Sequence, residues 1–169
     1  FNEKSLVALG NGLDGEGRFT EQVMSEALNT VRRFASIAEA MDVRRVDVLA
    51  TEATRRAKNG GELIDRIRAA TGLDTRILSG DQEARLAALG VVSGCLEPKG
   101  LVGELGGVSL DVAEVVVYDV GERTASMPLG ALRVKALMED DIDAAKQHIV
   151  SVLATSLPPL LTDPVMYAV

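Results

Sequence analysis

A glutamate at the start of a helix is the residue of this 169-residue chain best placed for acid–base chemistry. Glu83 follows Ser79 and Gln82, whose spacing is typical of a capping box that closes the first turn of a helix. Beyond Arg85 the helix is apolar on nearly every face, a pattern typical of a buried helix. A carboxylate at the mouth of a buried helix can act as a tuned acid or base. The alternative is a solvated first-turn glutamate, which the helix dipole favours.

The densest basic cluster lies upstream, where Arg55, Arg56 and Lys58 follow a predicted strand over residues 46–50. Open α/β sheets bind ligands at the carboxyl ends of their strands. The planar guanidinium of Arg55 matches phosphate oxygens well. The cluster therefore indicates either a phosphate site or an ordinary solvated helix face.

A glycine-rich turn stands between two predicted strands over the sequence Glu-Leu-Gly-Gly-Val-Ser-Leu-Asp, residues 104–111. A dinucleotide-binding loop needs a strand, then glycines, then a helix. Here the glycines lead into another strand, so a Rossmann cofactor site is disfavoured. A turn of this kind can aim successive backbone N–H groups at a phosphate. A plain hairpin turn is the alternative.

The elements that must position these residues follow from the hydrophobic pattern. The first part of the chain alternates strands with helices, and the strand at 5–9, the helix at 20–41 and the strand at 46–50 predict a right-handed parallel βαβ unit. Its predicted elements are strands at 5–9, 46–50 and 74–78, and helices at 20–41, 61–71 and from 79 onward. A break at 94–99 separates them from a second group. That group comprises strands at 100–105, 112–118, 123–128 and 165–169, a hairpin turn at Asp119–Glu122, and a helix from Asp140 or Asp141 to Leu157.

Composition removes several functional classes. The single histidine, His148, excludes a multi-histidine metal site and makes a Ser-His-Asp triad improbable. A net charge of −7 and the absence of tryptophan argue against a nucleic-acid partner. No run of about 18 apolar residues predicts a membrane span. The single cysteine, Cys95, excludes an internal disulfide and suits a reducing, cytoplasmic setting. The start at Phe1, without a methionine or signal peptide, suggests a piece of a longer protein.

Three blocks of sequence occur in a specific order, with Glu83 placed 28 positions after Arg55 and Glu104 placed 21 positions after Glu83. They are Ala50-Thr51-x-Ala53-x-Arg55-x-Ala57-x-Asn59; Ser79-Gly80-x-x-Glu83-Ala84-Arg85-Leu86, followed by Gly90-Val91; and Glu104-Leu105-Gly106-Gly107-Val108-Ser109-Leu110-Asp111, trailed by Pro128-Leu129-Gly130-Ala131-x-Arg133. Together they resemble the exopolyphosphatase and guanosine pentaphosphate phosphatase (Ppx/GppA) family, a branch of the actin, sugar-kinase and Hsp70 ATPase superfamily.

The resemblance implies an α/β fold of two ribonuclease H-like (actin-like ATPase) halves, in which mixed sheets are flanked by helices and a cleft separates two domains. Residues 1–93 would be the rest of the first domain, without its N-terminal strands. Residues 98–169 would be the start of the second domain, itself incomplete. The family's first phosphate-binding hairpin would precede Phe1.

The resemblance also implies a magnesium-dependent hydrolase that acts on phosphoric anhydrides. Glu83 would activate a water that attacks the terminal phosphorus. Arg55 would bind phosphate, and the backbone amides of Gly106, Gly107, Val108 and Ser109 would cradle it. Glu104 and Asp111 would help hold Mg²⁺. The implied substrate is inorganic polyphosphate or a guanosine polyphosphate such as pppGpp, and the implied assembly is a cytoplasmic homodimer.

Three positions depart from the family pattern. Glu104 replaces an aspartate, Asp111 replaces a glutamate, and Val108 replaces a third glycine. A β-branched residue is costly where the backbone needs a positive φ. A polyphosphate- or nucleotide-binding regulator with impaired turnover is therefore the alternative. An ATP-dependent kinase of the same superfamily is a third hypothesis, disfavoured because the Glu83 helix matches the phosphatases better.

Overall fold

The computed structural model describes residues 3–5, 7, 9–13, 15–157 and 165–169. Two compact units follow one another along the chain, Phe1–Leu78 and Ser79–Val169. The division into domains at 1–93 and 98–169 stays a prediction.

The βαβ unit predicted over 5–9, 20–41 and 46–50 lacks its first strand where the structure describes it, although helix α1 (Glu21–Ala40) and the following strand are present. Strands β1 (Val48–Ala50) and β2 (Thr75–Ile77) pair in parallel, with Val48 opposite Thr75. Helix α1 begins after Thr20, whose hydroxyl accepts a hydrogen bond from the Val23 N–H at 3.4 Å. The elements are α1 (Glu21–Ala40), β1 (Val48–Ala50), α2 (Glu52–Arg56), α3 (Gly60–Thr71) and β2 (Thr75–Ile77). Gly72 ends α3 at a φ of 71°, a left-handed cap that glycine adopts at little cost.

A buried asparagine joins two segments of the first unit. Asn59 is 6% exposed and lies beside the core cluster that contains Phe19 and Met24. Its side-chain oxygen accepts a hydrogen bond from the Phe19 N–H at 2.8 Å, and its Nδ2 donates to the Phe19 carbonyl at 3.0 Å. The side chain of Asn59 therefore satisfies both backbone polar groups of a buried residue.

Replacing Asn59 by alanine is expected to lower the free energy of unfolding by about 2–3 kcal/mol, because a buried N–H and a buried C=O lose their partner. Urea unfolding of the complete protein measures the change. Asn29→Ala, on the exposed side of α1, is the matched control and should stay within about 0.5 kcal/mol of the parent. Equal midpoints and slopes for the two variants would show that the Asn59 contacts contribute nothing.

The strand predicted over residues 5–9 is wrong where the structure describes it. Ser5 and Val7 lie outside any strand, and a 3-10 turn begins at Leu9 (Leu9–Asn11). Residues 6 and 8 lie outside the described residues. Val7 and Leu9 pack against the first core cluster. Their apolar character therefore serves packing on helices, which the alternation pattern does not distinguish from a strand.

The second unit is built on a mixed four-stranded sheet, whose strands in spatial order are β5 (Asp119–Met127), β4 (Leu110–Val116), β3 (Gly100–Leu105) and β6 (Val165–Ala168). β3, β4 and β5 are antiparallel neighbours, and β6 runs parallel to β3. The elements are α4 (Gly80–Gly94), β3 (Gly100–Leu105), β4 (Leu110–Val116), β5 (Asp119–Met127), α5 (Ala131–Asp140), α6 (Ile142–Ser156) and β6 (Val165–Ala168). In the described part of the chain, no helix is both long enough and apolar enough to cross a membrane.

Helices cover both faces of this sheet. On one face α4 packs through small residues, and the cluster is Ala84, Ala88, Val91, Val102, Ala113 and Val115. On the other face Leu101, Val112, Met127 and Leu129 form a cluster with residues of α5 and α6. Successive residues of a strand point to opposite faces, which accounts for the division. The prediction of an α/β fold with a mixed sheet flanked by helices is confirmed.

Helix α4 is not buried on every side. Leu86 and Leu89 are 43% and 46% exposed, whereas Ala84 and Ala88 are almost completely buried. The prediction of an all-round buried helix is wrong, because only the face with small side chains approaches the sheet.

The hairpin turn predicted at Asp119–Glu122 lies earlier. β4 and β5 are joined through residues 117–118, where Tyr118 takes a φ of 64°. Gly121 lies within β5 against Glu114, and a Cβ at this glycine would be 2.6 Å from the Glu114 Oε2. The absent side chain therefore makes room for the Glu114 carboxylate. In the sequence, a glycine with this packing role looks the same as a glycine in a turn.

Candidate functional site

Two carboxylates face each other across the β3–β4 hairpin. Glu104 and Asp111 are directly opposed in the antiparallel register. Val102 and Ala113, the next opposed pair on the same face, pack against α4. Both carboxylates therefore lie on the α4 side of the sheet, since residues two apart on a strand share a face.

Asp111 is the more buried of the two, with 1% exposure. Its Oδ2 accepts a hydrogen bond from the hydroxyl of Ser109 at 2.6 Å. Its Oδ1 is buried and has no hydrogen-bond partner among the described residues. A buried carboxylate oxygen without a donor is costly unless a cation or an ordered water satisfies it.

Burial raises the pKa of the Glu104 carboxyl, and the neighbouring charge of Asp111 raises it further. Two opposed carboxylates and one unsatisfied oxygen fit a hard cation such as Mg²⁺, which takes one or two carboxylates and completes its shell with waters or phosphates. No group of three or more Asp, Glu, His or Cys among the described residues could hold a metal ion.

The turn between β3 and β4 is held in place by backbone contacts with the start of α5. Gly130 approaches it so closely that a Cβ there would overlap the backbone of Gly107 and Val108. Three backbone hydrogen bonds fix the carbonyls of the turn: Gly130 N–H to Val108 O at 3.0 Å, Ala131 N–H to Gly106 O at 2.9 Å, and Leu132 N–H to Gly107 O at 2.9 Å.

The backbone N–H groups of the turn itself take no part in these three hydrogen bonds. The Gly106 N–H donates to the Ser109 carbonyl at 3.0 Å, whereas the N–H groups of Gly107 and Val108 donate to no described residue. Asp42, Glu97 and Tyr118 are the non-glycine residues with positive φ in the described ranges, so Val108 carries no left-handed strain. A fixed turn with two available amides can accept an anion.

Glu83 lies in the first turn of α4. The predicted capping box is present: the Ser79 hydroxyl accepts from the Gln82 N–H at 3.2 Å, and the Gln82 Oε1 accepts from the Ser79 N–H at 3.0 Å. Glu83 is half-buried, and its Oε2 is shielded from solvent. A Cβ built on Gly80 would lie 3.6 Å from the Asp111 Oδ1. The first turn of α4 is therefore adjacent to the buried carboxylate.

Arg55 belongs to the first unit, on α2. Its guanidinium forms hydrogen bonds to Glu52 and to the carbonyl of Leu78, the last residue of that unit. Arg56 also approaches Glu52, at 3.9 Å. The other predicted site residues lie in the second unit. A phosphate-binding role for Arg55 stays a prediction.

The sequence matches the Ppx/GppA phosphatase family over residues 1–165. The chain belongs to this family. It is 32% identical over 132 residues to exopolyphosphatase 1 of Mycobacterium tuberculosis, which covers 77% of this chain and 38% of that protein. For exopolyphosphatase 1 of Mycobacterium leprae the values are 30%, 77% and 39%. The chain thus spans about two fifths of the length of these relatives.

Solved structures of the Ppx/GppA family share the fold. An exopolyphosphatase from Cytophaga hutchinsonii superposes with a TM-score of 0.82 at 29% identity, covering 90% of this chain and 52% of that one. The Aquifex aeolicus family member gives a TM-score of 0.75 at 26% identity, covering 96% and 54%. The resemblance stated from the three blocks is confirmed, and with it the actin-like ATPase fold class.

Beside the β3–β4 hairpin of this Ppx/GppA family member lies one residue that the sequence did not single out. Ser126 of β5 is directly opposite Asp111 and lies against Gly80. No local pattern marks this serine, because its place beside Asp111 depends on the register of two strands. Gly80 was visible within a family block, but its contact was not.

Proposed function

We propose that the complete protein is a phosphohydrolase that releases terminal phosphate from inorganic polyphosphate or from a guanosine polyphosphate. The observation that supports it best is the pair of opposed carboxylates with an unsatisfied Asp111 Oδ1, on the α4 side of the sheet. The relatives named exopolyphosphatase favour polyphosphate as the substrate class. Phosphoryl transfer depends mainly on positioning and on neutralising charge, which this donor set suits.

In the proposed reaction Glu83 accepts a proton from a water as the water oxygen attacks the terminal phosphorus. The bond from that phosphorus to the bridging oxygen breaks, and the shortened chain leaves with the electron pair. Glu83 lies in the first turn of α4, where the helix dipole is favourable to negative charge. A base must be ionised to accept the proton.

The remaining groups bind and orient the substrate. The N–H groups of Gly107 and Val108 would donate to phosphate oxygens as neutral partners, and the hydroxyl of Ser109 keeps Asp111 in place. Arg55 would bind a phosphate with its guanidinium in exchange for a present partner. A Mg²⁺ held by Glu104 and Asp111 would neutralise phosphate charge when bound.

Phosphate release by the complete protein tests the proposal. We expect release of phosphate from polyphosphate in the presence of Mg²⁺, and a rate at least about 100-fold lower when a chelator removes the metal. The reason is that a cation at the Glu104–Asp111 pair would neutralise the charge of both carboxylates and of the substrate. Parallel assays with pppGpp decide the substrate, and light scattering tests the proposed homodimer. Absence of metal-dependent release from either substrate would contradict the proposal.

A binding regulator remains the second candidate, because Glu104 is one methylene longer than the aspartate that the family resemblance implies. Under this alternative, the parent protein binds polyphosphate without turnover, and Glu104→Asp with Val108→Gly creates activity. The expected cost of a valine at position 108 does not support this alternative, since the backbone of Val108 does not have a positive φ.

A further inference from the structure

Helix α4 approaches the sheet closely at Gly80, the first residue of the helix. A Cβ built on Gly80 would lie closer than 3.0 Å to both the Cβ and the Oγ of Ser126, a separation that forces something to shift. The third neighbour is the Asp111 Oδ1 at 3.6 Å, which is ordinary van der Waals contact. The absent side chain therefore lets the helix start directly on the Asp111–Ser126 cross-strand pair.

Further contacts tie the same end of α4 to β5. Asp81 forms a hydrogen bond with the hydroxyl of Thr124. Arg85 donates to the carbonyl of Glu122 at 3.4 Å and lies 3.4 Å from Asp81. These exposed contacts are individually weak. At Gly80 the helix backbone lies directly against the Ser126 side chain of β5.

The buried face of α4 also consists of small residues. Ala84 and Ala88, one and two turns after Gly80, pack on Ala113 and its neighbours with almost no exposure. Small side chains on the helix and on the strand allow close packing, and close-packed interiors transmit displacements. A shift at Gly80 would therefore move the whole first turn, including Glu83.

We infer that Gly80 is a positioning residue for the hydrolysis: by lacking a side chain it seats the first turn of α4 on Ser126 and so sets the position of the Glu83 carboxylate relative to Asp111. This inference rests on the proposed function. Gly80 touches no substrate and acts only through the helix that it begins. A misplacement of about 1 Å costs about 100-fold in rate when reacting groups must align.

A double-mutant cycle in the complete protein tests the inference. Gly80→Ala is expected to lower kcat for phosphate release from polyphosphate at least about tenfold. KM should change less, since the groups proposed to bind phosphate are other residues. In the Ser126→Gly background the overlapping atoms are gone and the nearest remaining neighbour is the Asp111 Oδ1 at 3.6 Å. There the same Gly80→Ala change should lower kcat less than about threefold.

Gly90→Ala is the matched control, because it is the same substitution on the same helix with no atom within 4 Å of the new Cβ. It should leave kcat within about twofold of the parent. An equal effect of Gly80→Ala in both backgrounds, or no effect in the parent, would overturn the inference. Should Gly80→Ala not fold, the double variant decides alone: it must reach the kcat of Ser126→Gly within about threefold. The Glu83→Gln variant tests the proposed reaction separately. A negative result at Gly80 would therefore overturn the positioning role of Gly80 and leave the proposed reaction untouched.

Discussion

Replacing Glu83 by glutamine in the complete protein is expected to lower kcat for phosphate release from polyphosphate by about 10²–10⁴-fold, the range for loss of a general base. Glutamine has nearly the same size and keeps the first turn of α4, but it cannot accept the proton of the attacking water. KM should stay within a few-fold, because the phosphate ligands are other groups. Steady-state kinetics with a coupled phosphate assay give both constants.

Glu139→Gln is the matched control for that variant. Glu139 is an exposed residue of α5, 3.8 Å from Lys135, and surface substitutions of this kind have small effects. Its kcat should equal that of the parent. A Glu83→Gln protein as active as the control would sink the role assigned to Glu83, whatever the metal dependence.

The second large effect is expected at the carboxylate pair. Asp111→Asn should raise the Mg²⁺ concentration for half-maximal activity at least about 10–100-fold, because one of two charged ligands becomes neutral. Ser109 lies 2.6 Å from the Asp111 Oδ2, and its hydroxyl can donate to the amide oxygen of the new side chain, so the fold should be retained. Titration of activity with Mg²⁺ at fixed polyphosphate measures the change.

Asp119→Asn is the control for the metal titration. Asp119 is exposed at the start of β5, and its side chain accepts a hydrogen bond from the Val120 N–H, which asparagine can also accept. Its Mg²⁺ dependence should match the parent. If Asp111→Asn also matched the parent, a cation site at Glu104 and Asp111 would be contradicted.

Local signals predicted much of the fold because their physics is local. The Thr20 cap, the Ser79–Gln82 capping box and the left-handed Gly72 all lie where the sequence places them. Helix α5 was not predicted from the sequence. Its Leu132 contacts Gly107, and its Val134 packs against the cluster that contains Leu101 and Met127. The segment follows a proline and carries no side-chain cap at Gly130, so the usual start signal is absent.

The parts of the site that could not be predicted depend on long-range register. A glycine in a strand pattern, Gly121, was interpreted as a turn, because only the structure shows Glu114 against its backbone. The burial of Asp111 and its unsatisfied oxygen follow from α4 lying across the hairpin. The contact of Gly80 with Ser126 joins residues 46 positions apart, by the difference of their numbers, and no sequence spacing encodes it.

The most direct test of the central claim is the fate of solvent oxygen. The complete protein is incubated with polyphosphate and Mg²⁺ in water enriched in oxygen-18, and the released orthophosphate is analysed by mass spectrometry. Attack by water on the terminal phosphorus predicts one solvent oxygen in each phosphate released. Release without solvent oxygen, transfer of phosphate to another acceptor, or binding without release would contradict the account.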